Sequence, residues 1–280
     1  MLRQRVVTAV VLASCFLATL FGLSSTLFAL VIGLALGVGG WEWSSLAGFT
    51  SRSARLAYTA ALLFCLVLIA YWIDFDESSL FSARVHSTLL WACGWWALAL
   101  LWVQSYPSSA LLWGRRWLCA LIGFAVLVPM WVAMATLVHA PEGPWLVLGV
   151  VALVALADIG AFFSGRAFGR RKLAVQVSPG KTWEGVVGGL GAVALGVTLF
   201  AYSQLNELSQ FWAWLLLAGV TGLASVLGDL LESMIKRHRG VKDSGTILPG
   251  HGGILDRVDG LTAALPVFTL MYALLYARLS

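Results

Sequence analysis

The sequence predicts an all-α, polytopic integral membrane protein, a bundle of about nine transmembrane helices with its N-terminus inside and its C-terminus outside. Three observations carry that prediction: apolar runs of bilayer length, no intervening stretch long enough for a soluble domain, and a one-sided distribution of basic residues. The chain has 280 residues, 60% of them hydrophobic and only 11% charged, with a mean hydropathy of +0.89.

A helix needs about 20 apolar residues to cross the hydrocarbon core. Runs of that kind lie at roughly 7–24, 27–47, 56–73, 87–105, 117–138, 145–163, 185–204, 211–231 and 261–277. They are continuous, which excludes the short alternating strands of a membrane barrel. The first is too long for a signal-peptide core and lacks a small-x-small cleavage site, so it counts as a span. Cys15, Cys65, Cys93 and Cys119 all fall inside runs without CxxC spacing, and read as small buried apolar side chains. Trp41, Trp43, Trp72, Trp113, Trp117 and Trp145 stand near run ends, where aromatic rings anchor helices at the interface. Glu42, in "WEWSS", reads as an interfacial carboxylate beside two of them.

Lys and Arg concentrate in cytoplasmic loops. An inside N-terminus places Arg3, Arg5, Arg52, Arg55, Arg115, Arg116, Arg166, Arg170, Arg171, Lys172, Lys181, Lys236, Arg237, Arg239, Lys242 and Arg257 on that side. Only Arg84 and Arg278 fall outside, whereas Asp74, Asp76, Glu77, Glu142 and Glu207 belong to external loops. The net charge of +5 is then membrane topology and not a nucleic-acid footprint.

The chain divides by polar content. Residues 1–150 form an N-terminal set of spans with few ionisable groups. Residues 151–280 form a C-terminal region with two basic, Gly-bearing cytoplasmic loops at 164–184 and 232–260. Acids gather at or inside its span ends: Asp158, Asp229, Glu232 and Asp259. Such groups are expensive at membrane depth and usually line a cavity or substrate path.

In "LGDLLESMIKRHRGVKD", Asp229, Glu232 and Lys236 share one helical face. Glu232 and Lys236 suit a structural ion pair, whereas Asp229, deeper and between Gly228 and Leu230, calls for a metal or another cation. "SGTILPGHGG" cannot be helical, and a Gly-rich backbone lets amides approach anionic oxygens. In "ILDRVDG", Asp256 and Asp259 share a face if a helix starts there. Carboxylates suit Mg²⁺, and Lys236, Arg237, Lys242 and Arg257 suit phosphate. "SPGKTWEG" adds Lys181, although it follows no predicted strand and lacks P-loop spacing. A zinc site would need more than His251, and a GxSxG nucleophile elbow is absent. These residues ask for a membrane-embedded, Mg²⁺-dependent site that handles phosphate esters at the cytoplasmic face.

The stretch "SMIKRHRGVKDSGTILPGHGGILDRVD", Ser233 to Asp259, resembles the signature of phosphatidate cytidylyltransferases. Ser233, Lys236, Arg237, Lys242, Asp243, Gly245, Pro249, His251, Gly252, Gly253, Asp256, Arg257 and Asp259 fill its fixed positions. "SPGKTWEG" and "ADIGAFFSGRAFGR" resemble further segments of that family, so the likeness covers about 158–260 and leaves 1–150 as the variable half.

The resemblance implies that phosphatidate and CTP give CDP-diacylglycerol and pyrophosphate, at the cytoplasmic face of a bacterial inner membrane. It implies Mg²⁺, with a second cation such as K⁺, and a homodimer. Asp229 and Asp256 are the principal metal ligands it implies, followed by Asp243 and Asp259. Asp229, Asp243, Asp256 and Lys242 form the catalytic set. Lys181, Lys236, Arg237, Arg257 and Ser233 bind substrate, with His251, Gly252 and Gly253 shaping the loop. The nearest rival is a CTP-dependent polyprenol or phytol kinase, which would release CDP. A cation transporter built on Asp158 and Asp229 would not need the basic loop, and the spacing of a CDP-alcohol phosphotransferase is missing.

Overall fold

In the computed structural model, which describes residues 2–204 and 208–279, each of the nine apolar runs forms a helix. Glu207 and the side chains of Arg3, Arg5 and Arg278 lie outside the described residues. The first half contains α1 (Leu2–Gly22), α2 (Ser25–Ala47), α3 (Arg52–Ile73), α4 (Ala83–Gln104), the short α5 (Ala110–Trp113) and α6 (Arg116–His139). The second contains α7 (Gly143–Phe168), α8 (Trp183–Gln204), α9 (Leu208–His238) and α10 (Leu255–Leu279). Eight of these are long and apolar enough to cross a membrane; the apolar part of α1, Val6–Gly22, is shorter.

Large apolar side chains cover the outside of the bundle, with Phe64 63%, Trp91 82%, Leu101 60% and Phe163 65% exposed. Water would not tolerate such a belt, and lipid does. The protein is an integral membrane protein. At its centre stands α6, with sixteen of its 24 residues buried, packed against α2, α3, α4, α7 and α10.

Close approach explains part of that packing. A Cβ at Gly123 would fall 2.4 Å from the ring of Trp43, whose indole N–H donates to the Cys119 carbonyl at 2.9 Å. Trp43 and Trp113 are therefore fully buried and not interfacial as expected, whereas Trp72, Trp117 and Trp145 are exposed. The four thiols are free, and Cys15 faces outward from α1 in contrast to the expected burial.

Three boundaries differ from the prediction, and all three move toward the site. Helix α9 runs on to His238 because the Glu232–Lys236 pair and a basic last turn suit a helix C-terminus. Gly240, at φ +69°, then ends it in a Schellman turn: its N–H donates to Arg237 O and that of Val241 to Lys236 O, both at 3.0 Å. Helix α10 starts at Leu255, ahead of the predicted 261. The predicted loop 164–184 holds the end of α7 and a two-stranded antiparallel ribbon, β1 (Lys172–Ala174) and β2 (Ser178–Thr182). Buried Val177 sits at its turn, and Thr182 caps α8 by accepting the Gly185 N–H at 3.1 Å. "SPGKT" is thus a strand entering a helix, where sequence reading saw a loop.

Helices α7 and α8 touch almost backbone to backbone. A Cβ at Gly160 would lie 2.7 Å from the Gly188 carbonyl, and one at Gly189 2.7 Å from that of Ala157. Small residues allow such approach between membrane helices. The result holds Asp158 of α7 and Lys181 of β2 opposite α9.

Candidate active site

Polar groups that α7, β2, α9 and α10 bring to one end of the bundle form two adjoining centres. The first is an open cavity of about 440 Å³, lined by Asp158, Arg166, Lys181, Asp229 and the glycines Gly165, Gly180 and Gly185, among others. The Lys181 ammonium lies 2.6 Å from Asp229 Oδ2, and the Ser233 hydroxyl donates to Asp229 Oδ1 at 3.1 Å. Both partners of the ion pair keep roughly a quarter to a third of their side-chain surface exposed, 26% and 32%. The Asp229 charge also repels Asp158 and Asp259. Asp158, without a role at the sequence level, is thus part of the cavity wall.

The second centre is closed. Lys236 is buried between Glu232, at 3.1 Å, and Asp256, at 2.6 Å. Asp256 Oδ2 also accepts the Ser244 N–H at 2.9 Å, the Ser244 hydroxyl at 3.0 Å and the Gly253 N–H at 2.8 Å. Gly252, at φ +83°, makes that turn possible, since a Cβ there would meet Asp256 Oδ2 at 2.6 Å. Glu42 completes the centre from α2. It is 2% exposed and accepts from Ile254 N–H, Leu255 N–H and the Ser244 hydroxyl. The reading of Glu42 as an interfacial carboxylate is therefore corrected: it is buried, and its partners stand more than 200 residues away in sequence.

The structure brings together Lys181, Asp229, Ser233, Lys236, Gly252, Gly253, Asp256 and Asp259, while Arg237, Lys242, Asp243, His251 and Arg257 lie around them. Arg237 is exposed and donates to the carbonyls of Val177 and Val241 at 3.3 Å, tying the ribbon to α9. Lys242, Asp243 and Arg257 are exposed. His251 is half-buried, with its backbone N–H on Leu248 O and its Nδ1 unpartnered. Sequence reading passed over Ser244, a lone hydroxyl beside a glycine, and left Glu42 at the interface.

The acidic side chains have the hard oxygen donors that Mg²⁺ takes. Among the described residues, no three carboxylate, imidazole or thiol groups converge tightly enough to hold an ion. Buried Glu232 Oε2 has no hydrogen-bond partner, and Glu232 and Asp259 repel each other, so the acids near Asp229 fit a cation. Asp256 does not fit as well, because its two oxygens already receive four donors.

Fold and site together define an integral membrane protein whose acidic and basic side chains gather at one end of its helical bundle. The model of a cytidylyltransferase family matches residues 3–275, and the chain belongs to that family. It is 44% identical to the phosphatidate cytidylyltransferase of Pseudomonas aeruginosa over 99% of this chain and 98% of that protein. It is 42% identical to that of Haemophilus influenzae, over 97% and 99% of the two chains. For that of Brucella suis the identity is 35%, over 98% and 94%.

Proposed function

We propose that the protein transfers the cytidylyl group of CTP to phosphatidate, giving CDP-diacylglycerol and pyrophosphate for phospholipid synthesis. The observation that carries this reading is the end-to-end identity to relatives bearing that activity's name. The cavity supports it chemically. A phosphatidate oxygen attacks the α-phosphorus of CTP, a P–O bond forms, and the bond to the β-phosphate breaks with its electron pair leaving on pyrophosphate. A phosphate monoester has a second pKa of about 6, so the nucleophile is ionised without a base. The chain's task is to bring two anions together in line.

Lys181 and Arg166, in the cavity wall, attract the phosphates, and Lys242 and Arg257 add positive charge at the rim. Asp229 and Asp259 are the residues that would hold Mg²⁺, with Glu232 adjoining. Mg²⁺, when bound, supplies charge neutralisation at the phosphate oxygens. Phosphate binding would draw Lys181 from Asp229 and free that carboxylate.

The sixteen basic residues on one side support an inside N-terminus and a site facing the cytoplasm of a bacterial inner membrane, where CTP is available. A homodimer is the assembly implied by family resemblance; light scattering on detergent-solubilised protein tests it. The deciding experiment for the reaction is incubation with phosphatidate, Mg²⁺ and CTP labelled at the α-phosphate. Labelled lipid with released pyrophosphate is expected. Labelled CDP with an unlabelled lipid product would overturn the reading in favour of a lipid kinase.

A further inference from the structure

Glu42 sits in the first half of the chain, outside the signature stretch, yet it makes polar contacts with the site across more than 200 positions. Its Oε1 accepts the Ile254 N–H at 3.0 Å, and its Oε2 accepts the Leu255 N–H at 3.0 Å. These amides open α10, and helix-opening amides have no partner within the helix. A local Ser, Thr, Asp or Asn usually caps them. Here a carboxylate from α2 does so, placed at the positive end of the α10 dipole. The chain leaves room for it: a Cβ at Gly245 would come within 2.6 Å of Glu42 Oε1, and one at Gly253 within 2.5 Å of Oε2.

A cap alone would be a matter of stability. Ser244 makes it more than that. Its hydroxyl lies 3.1 Å from Glu42 Oε2 and 3.0 Å from Asp256 Oδ2, so one hydrogen is shared between two carboxylates. Asp256 in turn grips Lys236 of α9. Glu42 therefore fixes where α10 begins and how Asp256 is turned. One turn further along α10 stands Asp259, whose carbonyl lies where a Cβ on Gly228 would be, 2.4 Å away, beside Asp229. A shift in the start of α10 must move Asp259 against Asp229.

We propose that Glu42 is a positioning residue for catalysis, acting through Ser244 and Asp256 on the relative placement of α9 and α10. The proposal rests on the cytidylyl-transfer reading, and wild-type protein in the same assay tests that reading separately: without labelled lipid from wild type, it is the reaction that fails. Supporting groups behind a site typically change activity 10–100-fold when altered.

The test compares Glu42→Gln, Ser244→Ala and the double variant in full-length detergent-solubilised protein, measuring kcat, KM for CTP and melting temperature. Each single change is expected to lower kcat about 10–100-fold while KM for CTP stays within about threefold. The double variant is expected to lose no more than the poorer single one, since both break one connection. Losses that multiply in the double variant, or a normal kcat with a lowered melting temperature in Glu42→Gln, would overturn the proposal. If Glu42→Gln does not fold, Ser244→Ala alone decides, because it leaves both amide contacts of Glu42 in place. A wild-type kcat there would sink the idea.

Discussion

The two acidic centres stand side by side and are built on opposite terms. Around Asp229 the walls are partly open, Asp158 and Asp229 face Lys181 and Arg166, and the ion pair to Lys181 keeps a quarter to a third of its side-chain surface exposed. Both oxygens of Asp256 itself are taken by donors of the protein, and the Lys236 side chain is 9% exposed. Both centres carry an Asp that the family resemblance implies as a metal ligand, Asp229 in one and Asp256 in the other. The difference teaches that an Asp at this end of the bundle has two physical settings: one carboxylate is partly open to an incoming group, and the other is committed to holding the frame around it.

Matched substitutions can break that contrast. Asp229→Asn should produce the largest loss of activity, on the order of 10³-fold in labelled-lipid formation, with the melting temperature nearly unchanged because Asn still accepts from Ser233. Asp256→Asn should also reduce turnover, but with a stability loss of about 3–5 kcal/mol, since it leaves Lys236 buried beside a single carboxylate. Equal melting curves for the two variants would erase the distinction between open and closed centres.

Lys181→Met should lower kcat/KM for CTP about 100-fold, because a phosphate partner is lost from the open side. An unchanged KM for CTP would remove Lys181 from the phosphate site. Gly253→Ala attacks the closed side by volume alone: its Cβ would come within 2.1 Å of Ser244 Oγ, and overpacking of that kind typically destabilises by about 1–3 kcal/mol, read by thermal melting. The smallest effect is expected at the rim, where exposed Arg257→Gln should change kcat/KM less than about tenfold and more at low salt than at high salt.

The sequence made the membrane spans legible because lipid imposes a single rule on length and polarity. The i, i+3 spacing of Asp256 and Asp259 is compatible with a helix there, but the apolar run alone places its start at 261 and not at Leu255. What the sequence hid depended on distance or on scale. Glu42 and Ser244 meet across 202 positions, and no local pattern announces such a contact. Trp43 and Trp113 looked like interface anchors because their position near span ends says nothing about which way a ring points. The ribbon at β1 and β2 is three and five residues long, too short to show its own period.

Helix α9 has a further consequence. At about 1.5 Å per residue, Asp229 stands roughly 32 Å along the axis from Leu208, about the thickness of the hydrocarbon core. On the proposed assignment of Asp229, the helix would serve as a depth gauge: starting at one surface, it would set that carboxylate at the level of the headgroups at the other. A lipid phosphate floats at that same height whatever its tails, so the enzyme should feel the thickness of its bilayer more keenly than the length of any one acyl chain.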